Sequence, residues 1–185
     1  TGRSGGSAGG RWRGSAPLTP RGWPSTFPLM PSQRDSLDRL WKRCAGLPGG
    51  TWLFSRAFGL AVPYSATIGS RVVALEPGYC KTLLRDRRGL RNHLASIHAV
   101  ALVNLGEMTS GLAMTMALTA DVRGIVTTIG ADYLKKARGT LTAEARVTVP
   151  PLGPEPQNTR VETIISDAAG DVVCRVFTIW RLARS

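Results

Sequence analysis

Histidine is scarce in this chain: His93 and His98 are the only two in 185 residues. The three cysteines, Cys44, Cys80 and Cys174, are odd in number and far apart. They form neither a C-x-x-C pair nor a disulfide framework, which fits a reduced, cytoplasmic compartment. With so few soft ligands, a metal site is not expected. Aromatic residues make up 6% of the chain and are not interleaved with basic ones, so a base-stacking platform for RNA is not expected either. Acids are outnumbered by Lys and Arg, 12 against 24, for a formal net charge of +12. Residues 1–29 hold Arg3, Arg11, Arg13 and Arg21 and no acid; without those four the balance falls to +8. Such a charge suits nucleic acid, anionic lipid or a phosphate-bearing ligand, or simply a basic solvated surface. The apolar run near 97–118 is long enough to span a bilayer, but Glu107 sits in its middle. A charge there costs roughly 3 kcal/mol on insertion scales. Neither nucleic acid nor a membrane is an expected partner.

What is present is enough apolar residue, 43%, for a real core. Residues 1–32 are rich in Gly, Ser, Pro and Arg and read as a disordered tail, with 33–185 as a single domain. Met30 as a natural start, with read-through upstream, is preferred to a presequence. Leu37, Leu40 and Trp41 share a face of a helix over 32–44. Leu47-Pro48-Gly49-Gly50 ends it, and a second helix is expected over Trp52–Leu60. Strands are expected over Ala66–Leu75 and Tyr79–Arg85, joined by a turn at Glu76-Pro77-Gly78. After the long apolar helix come strands at Val122–Tyr133, Arg138–Val149, Arg160–Ser166 and Val172–Leu182. The second of these alternates well, with Leu141, Ala143, Ala145, Val147 and Val149 on one side. A helix apolar nearly all round must be buried, and a curved antiparallel sheet wrapped around it is the economical α+β solution.

Glu107 is the one charge between Ile97 and Leu118. A lone carboxylate on such a helix must be paired, hydrogen-bonded or used. Burial should raise its pKa, while hydrogen bonds from Asn104, Thr109 or Ser110 would oppose that.

The residues Asn92, His98 and Glu107 resemble the Asn…His-Gly-Gly…Asp/Glu signature of phenylacetyl-CoA-type hotdog thioesterases. Further on, Asp132-Tyr133-Leu134-Lys135-Lys136-Ala137-Arg138-Gly139-Thr140-Leu141-Thr142-Ala143-Glu144-Ala145 is similar to that family's strand F/Y-L-x-P-A-x-x-G-D-x-L-x-A-x-A. The likeness spans Ser32 to Leu182 and is greatest to a poorly characterised bacterial subgroup. It implies a hotdog fold and a thioesterase acting on an acyl-CoA or acyl-carrier thioester. It also implies a dimer or tetramer with active sites between subunits, and no cofactor. Two positions depart from the pattern. Ala99-Val100 replaces the glycine pair, and Lys136 replaces the proline.

Glu107 lies nine residues beyond His98, about 13.5 Å and two and a half turns along a helix. The two therefore face opposite ways, and a shared site needs a second subunit. In that site the Ala99 N–H at the helix start would polarise the thioester carbonyl, with Val100 beside it. Glu107 would act as nucleophile or general base. Asn92 either orients the water or carbonyl or is a helix N-cap, and His98 holds the helix start. Lys135, Lys136 and Arg138 either bind coenzyme A phosphates or form a solvated strand end. Ser55, Ser96 and Ser110 lack a G-x-S-x-G setting, so a serine hydrolase is not indicated. The competing reading is a non-catalytic module that binds acyl-CoA or lipid.

Overall fold

The computed structural model describes residues 33–184, and the expected tail over 1–32 lies outside the described residues. Helix α1 spans Gln33–Ala45, and its Leu37, Leu40 and Trp41 pack on the core as their spacing predicts. Asp35 in the first turn and Lys42 and Arg43 in the last suit the helix dipole. Helix α2, Gly50–Ala61, buries Phe54, which meets the Trp41 ring edge-on at 5.0 Å. A short α3, Pro63–Ala66, follows. The strand expected from Ala66 therefore begins later, and β1 is Arg71–Glu76. Pro63 explains the difference: its missing N–H costs nothing at a helix start, so the chain takes one more helical turn there.

β2, Tyr79–Leu84, returns along β1 through Gly78, at φ +75. A Cβ at Gly78 would stand 2.5 Å from the Val147 carbonyl oxygen, so the turn demands glycine on both counts. Helix α4 is Ala99–Ala117. Four strands close the chain: β3, Val122–Tyr133; β4, Leu141–Arg146; β5, Gln157–Ser166; and β6, Val172–Arg184. β4 is shorter than the alternation predicts, but Leu141, Ala143 and Ala145 do face the core. The six strands form one antiparallel sheet in the order β1-β2-β4-β5-β6-β3.

The sheet curves around α4, as the sequence predicts. Met108, Leu112, Ala113 and Met116 fill the core at one end, with Leu102 and Leu105 at the other. Polar groups on the inner face are matched to the helix. Thr163 donates to the Gly106 carbonyl at 2.9 Å, and the Thr82 and Thr109 hydroxyls meet at 2.8 Å. One stripe of α4 stays only half-covered: Val103, Glu107, Gly111 and Thr115, at four-residue spacing. Edge strand β3 runs back beside α4. Gly124 approaches Leu118 past the helix end, and the Tyr133 hydroxyl donates to the Ala99 carbonyl at the start.

Candidate functional site

The chain enters α4 through a hydrogen-bonded loop. An Arg91↔Ile97 bridge closes it. Inside, the Asn92 Oδ1 accepts the N–H of Leu94 at 2.9 Å and of Ser96 at 3.2 Å. Asn92 therefore caps a turn and not the helix. Ala95 sits at φ +51, a left-handed conformation that costs an alanine about 1–2 kcal/mol. Arg138 offsets this by donating to the carbonyls of Ala95 (3.1 Å) and Leu94 (3.4 Å). The Ser96 hydroxyl bonds the Ala137 carbonyl at 3.0 Å.

His98 is the N-cap of α4. Its backbone is extended and its Nδ1 accepts the Val100 N–H at 3.2 Å, which puts the ring proton on Nε2. The Ala101 N–H turns to the His98 carbonyl at 2.9 Å. The Ala99 N–H is left without a partner among the described residues. At the same end of α4 lies a cleft of about 220 Å³, lined by Tyr64, Ile68, Arg91, His98, Val100 and Asn104, among others. Val100 stands 56% exposed at it.

Glu107 lies eight residues beyond Ala99, about 12 Å along the axis. It is half-buried, and burial pushes its pKa up. The hydrogen bonds that would oppose this are spent elsewhere. Thr109 donates to the Leu105 carbonyl at 2.7 Å, and Ser110 to the backbone carbonyl of Glu107 at 2.9 Å. The Asn104 amide reaches the Tyr64 carbonyl at 3.4 Å. Among the described residues the Glu107 carboxylate has neither a hydrogen bond nor an ion pair. It lies against Gly111, where the Trp180 ring also approaches.

Within one chain, then, the structure gathers Asn92, His98, Ala99 and Val100 at the helix start and leaves Glu107 two turns away. The basic trio is divided. Lys135 is held between Asp167 (2.7 Å) and Asp171 (2.6 Å), and Arg138 clamps the entry loop. Lys136 points to solvent. Cys80 and Cys174 are buried packing residues; burial raises both thiols, Cys174 to about 11. Asn104 is a cleft residue whose position the sequence does not reveal: it is buried, and its Oδ1 has no partner. The available signal is an amide three residues before Glu107 on an apolar helix.

The model of one family, described as Domain of unknown function (DUF4442), matches residues 50–182. The chain belongs to that family. No curated protein matches it in sequence. Solved structures do match in fold. APC5556 is 24% identical with a TM-score of 0.68, over 81% of this chain and 99% of its own. PA5026 of Pseudomonas aeruginosa, a protein of unknown function and probable thioesterase, is 24% identical with a TM-score of 0.62, over 75% of this chain and 97% of its own. A thioesterase family protein of Silicibacter pomeroyi is 17% identical with a TM-score of 0.59, over 71% of this chain and 96% of its own. The fold is the hotdog fold. Among the described residues no helix is long and apolar enough to cross a membrane.

Proposed function

We propose that the protein is a thioesterase, hydrolysing an acyl-CoA or acyl-carrier thioester at a site shared by two subunits. The observation that carries the reading is the unpartnered Glu107 carboxylate, half-buried on the open stripe of α4. A carboxylate kept poorly solvated and unpaired is a better nucleophile or base than one in a salt bridge. The free Ala99 N–H, at the positive end of the helix dipole, suits the developing oxyanion. The thioesterase names of the similar structures support the same chemistry.

Edge strand β3 supplies the second subunit's docking edge. It exposes Ile125, Ile129 and Tyr133 and, among the described residues, a row of backbone groups with no neighbouring strand. Antiparallel pairing of two copies sets their helices antiparallel. For one helix start to meet the other's Glu107, the twofold axis passes beside Val103, midway between Ala99 and Glu107. That is the Tyr133 end of β3, since Tyr133 touches Ala99. In this assembly Lys136 is exposed and adjoins Ala137, whose carbonyl takes the Ile97 N–H just before the helix start, and it offers a cation to a coenzyme A phosphate, while Asn92 and His98 hold the donor in place.

One observation favours a non-catalytic acyl-binding module as the second reading. His98 occupies the Val100 N–H, and Val100 itself crowds the cleft, so one backbone donor serves where a glycine pair would leave more room. Release of free thiol from a panel of acyl-CoA esters decides between the two. Turnover that is lost in Glu107→Gln supports the thioesterase, and saturable binding without turnover supports the binding module.

A further inference from the structure

Helix α2 is apolar on both sides. Phe54 and Phe58 pack inward with Trp41, yet the opposite face carries Trp52, Leu53 and Leu60 out to solvent, continued by Tyr64 of α3. Trp52 is 59% exposed, Leu60 85% and Tyr64 69%. A run of large apolar groups like this on one surface marks a contact site. Arg56 is the only charge on α2, and its guanidinium lies 5.9 Å from the centre of the Trp52 ring.

The electrostatics select the occupant. From Arg39 to Leu75 the chain has five cations, Arg39, Lys42, Arg43, Arg56 and Arg71, and no acid. Lys42 is paired with Asp38 at 2.7 Å. A second copy docked by this face would bring Arg56 against Arg56 across a twofold axis, with no acid on α2 or α3 to pair with it. Residues 1–32 carry four arginines and no acid, so they are repelled as well. A surface that is negative and takes up tryptophan and leucine side chains fits both properties, and an anionic lipid bilayer is such a surface.

We propose that the α2–α3 face docks on anionic membranes, with Trp52 and Leu60 inserted among the lipid chains and Arg56 at headgroup level. Tyr64 belongs both to this face and to the cleft beside the helix start. Docking therefore opens the cleft towards the lipid. The sequence carries no spanning segment and by itself points to no membrane partner; that α2 keeps an apolar face outward becomes visible once Phe54 and Phe58 are seen to occupy the inward one.

The test is co-sedimentation of the full chain with vesicles of phosphatidylcholine alone and vesicles with roughly one third phosphatidylglycerol. The wild type is expected to partition onto the anionic vesicles only. The double variant Trp52→Gln/Leu60→Gln keeps every charge and alters only exposed side chains, so its thermal melt should match the wild type. Its partition coefficient should fall at least about tenfold. Three results would overturn the proposal: no sedimentation of the wild type, equal sedimentation of the double variant (charge adsorption alone), or a change of oligomeric state of that variant in gel filtration, which would make the face a contact between copies.

Discussion

His98 Nδ1 accepts the Val100 N–H at 3.2 Å, so the imidazole singled out by spacing is the cap of the helix that carries Glu107. A cap fixes where the helix begins, and so which N–H stays free. His98→Ala should cost about 1 kcal/mol of unfolding free energy, and His98→Asn should recover most of it, because Asn is a strong N-cap. Urea unfolding measures both. If turnover follows stability through the pair, His98 acts by position; loss of turnover in a stable His98→Asn would assign the ring a direct chemical role.

Gly106 lets α4 lie against the sheet. A Cβ there would stand 2.4–2.7 Å from three Val176 side-chain atoms. Gly106→Ala should therefore destabilise by about 1–3 kcal/mol. Val176→Ala, harmful alone, should relieve part of that in the double variant, giving a coupling energy in a double-mutant cycle. Strict additivity would contradict the close packing.

The long helix is legible in the sequence because it is apolar nearly all round, and the inward alternation of β4 because burial of one face imposes a period of two. Glu107 is legible because it is the one charge in that apolar run. The loop before α4 is not. Asn92, Ala95 and Ser96 form a turn whose partners, Arg138 and Ala137, lie more than forty residues away. For the same reason Arg138 reads as a phosphate ligand until its two backbone acceptors are seen. Lys135 is similar, since Asp167 and Asp171 reach it only through the β5–β6 hairpin.

The edge of β3 is expected to join two subunits near the twofold axis. Ile129→Lys sets a charge from each copy into the joined edge, where it disfavours strand pairing. Gel filtration with light scattering should then report a monomer where the wild type is expected to run as a dimer or tetramer, together with loss of turnover. An unchanged mass would move the interface elsewhere.

Glu107 also sets a pH dependence. Its folded-state pKa is raised by burial, so between the ordinary glutamate value and the raised one the folded protein binds more protons than the unfolded. Stability therefore falls as pH rises through that window. Glu107→Gln removes this term: the variant should melt higher than the wild type at neutral pH, and the gap should close as pH drops into the acidic range. A Glu107→Gln variant less stable at neutral pH would mean the carboxylate has a favourable partner in the assembled protein.

The decisive measurement is thiol release by wild type and Glu107→Gln across short, medium, long and aromatic acyl-CoA esters. The wild type is expected to turn over at least one ester, with a drop of about a thousandfold or more in a folded, assembled Glu107→Gln. Equal rates in the two proteins, or no thiol release from any ester, would contradict the thioesterase reading.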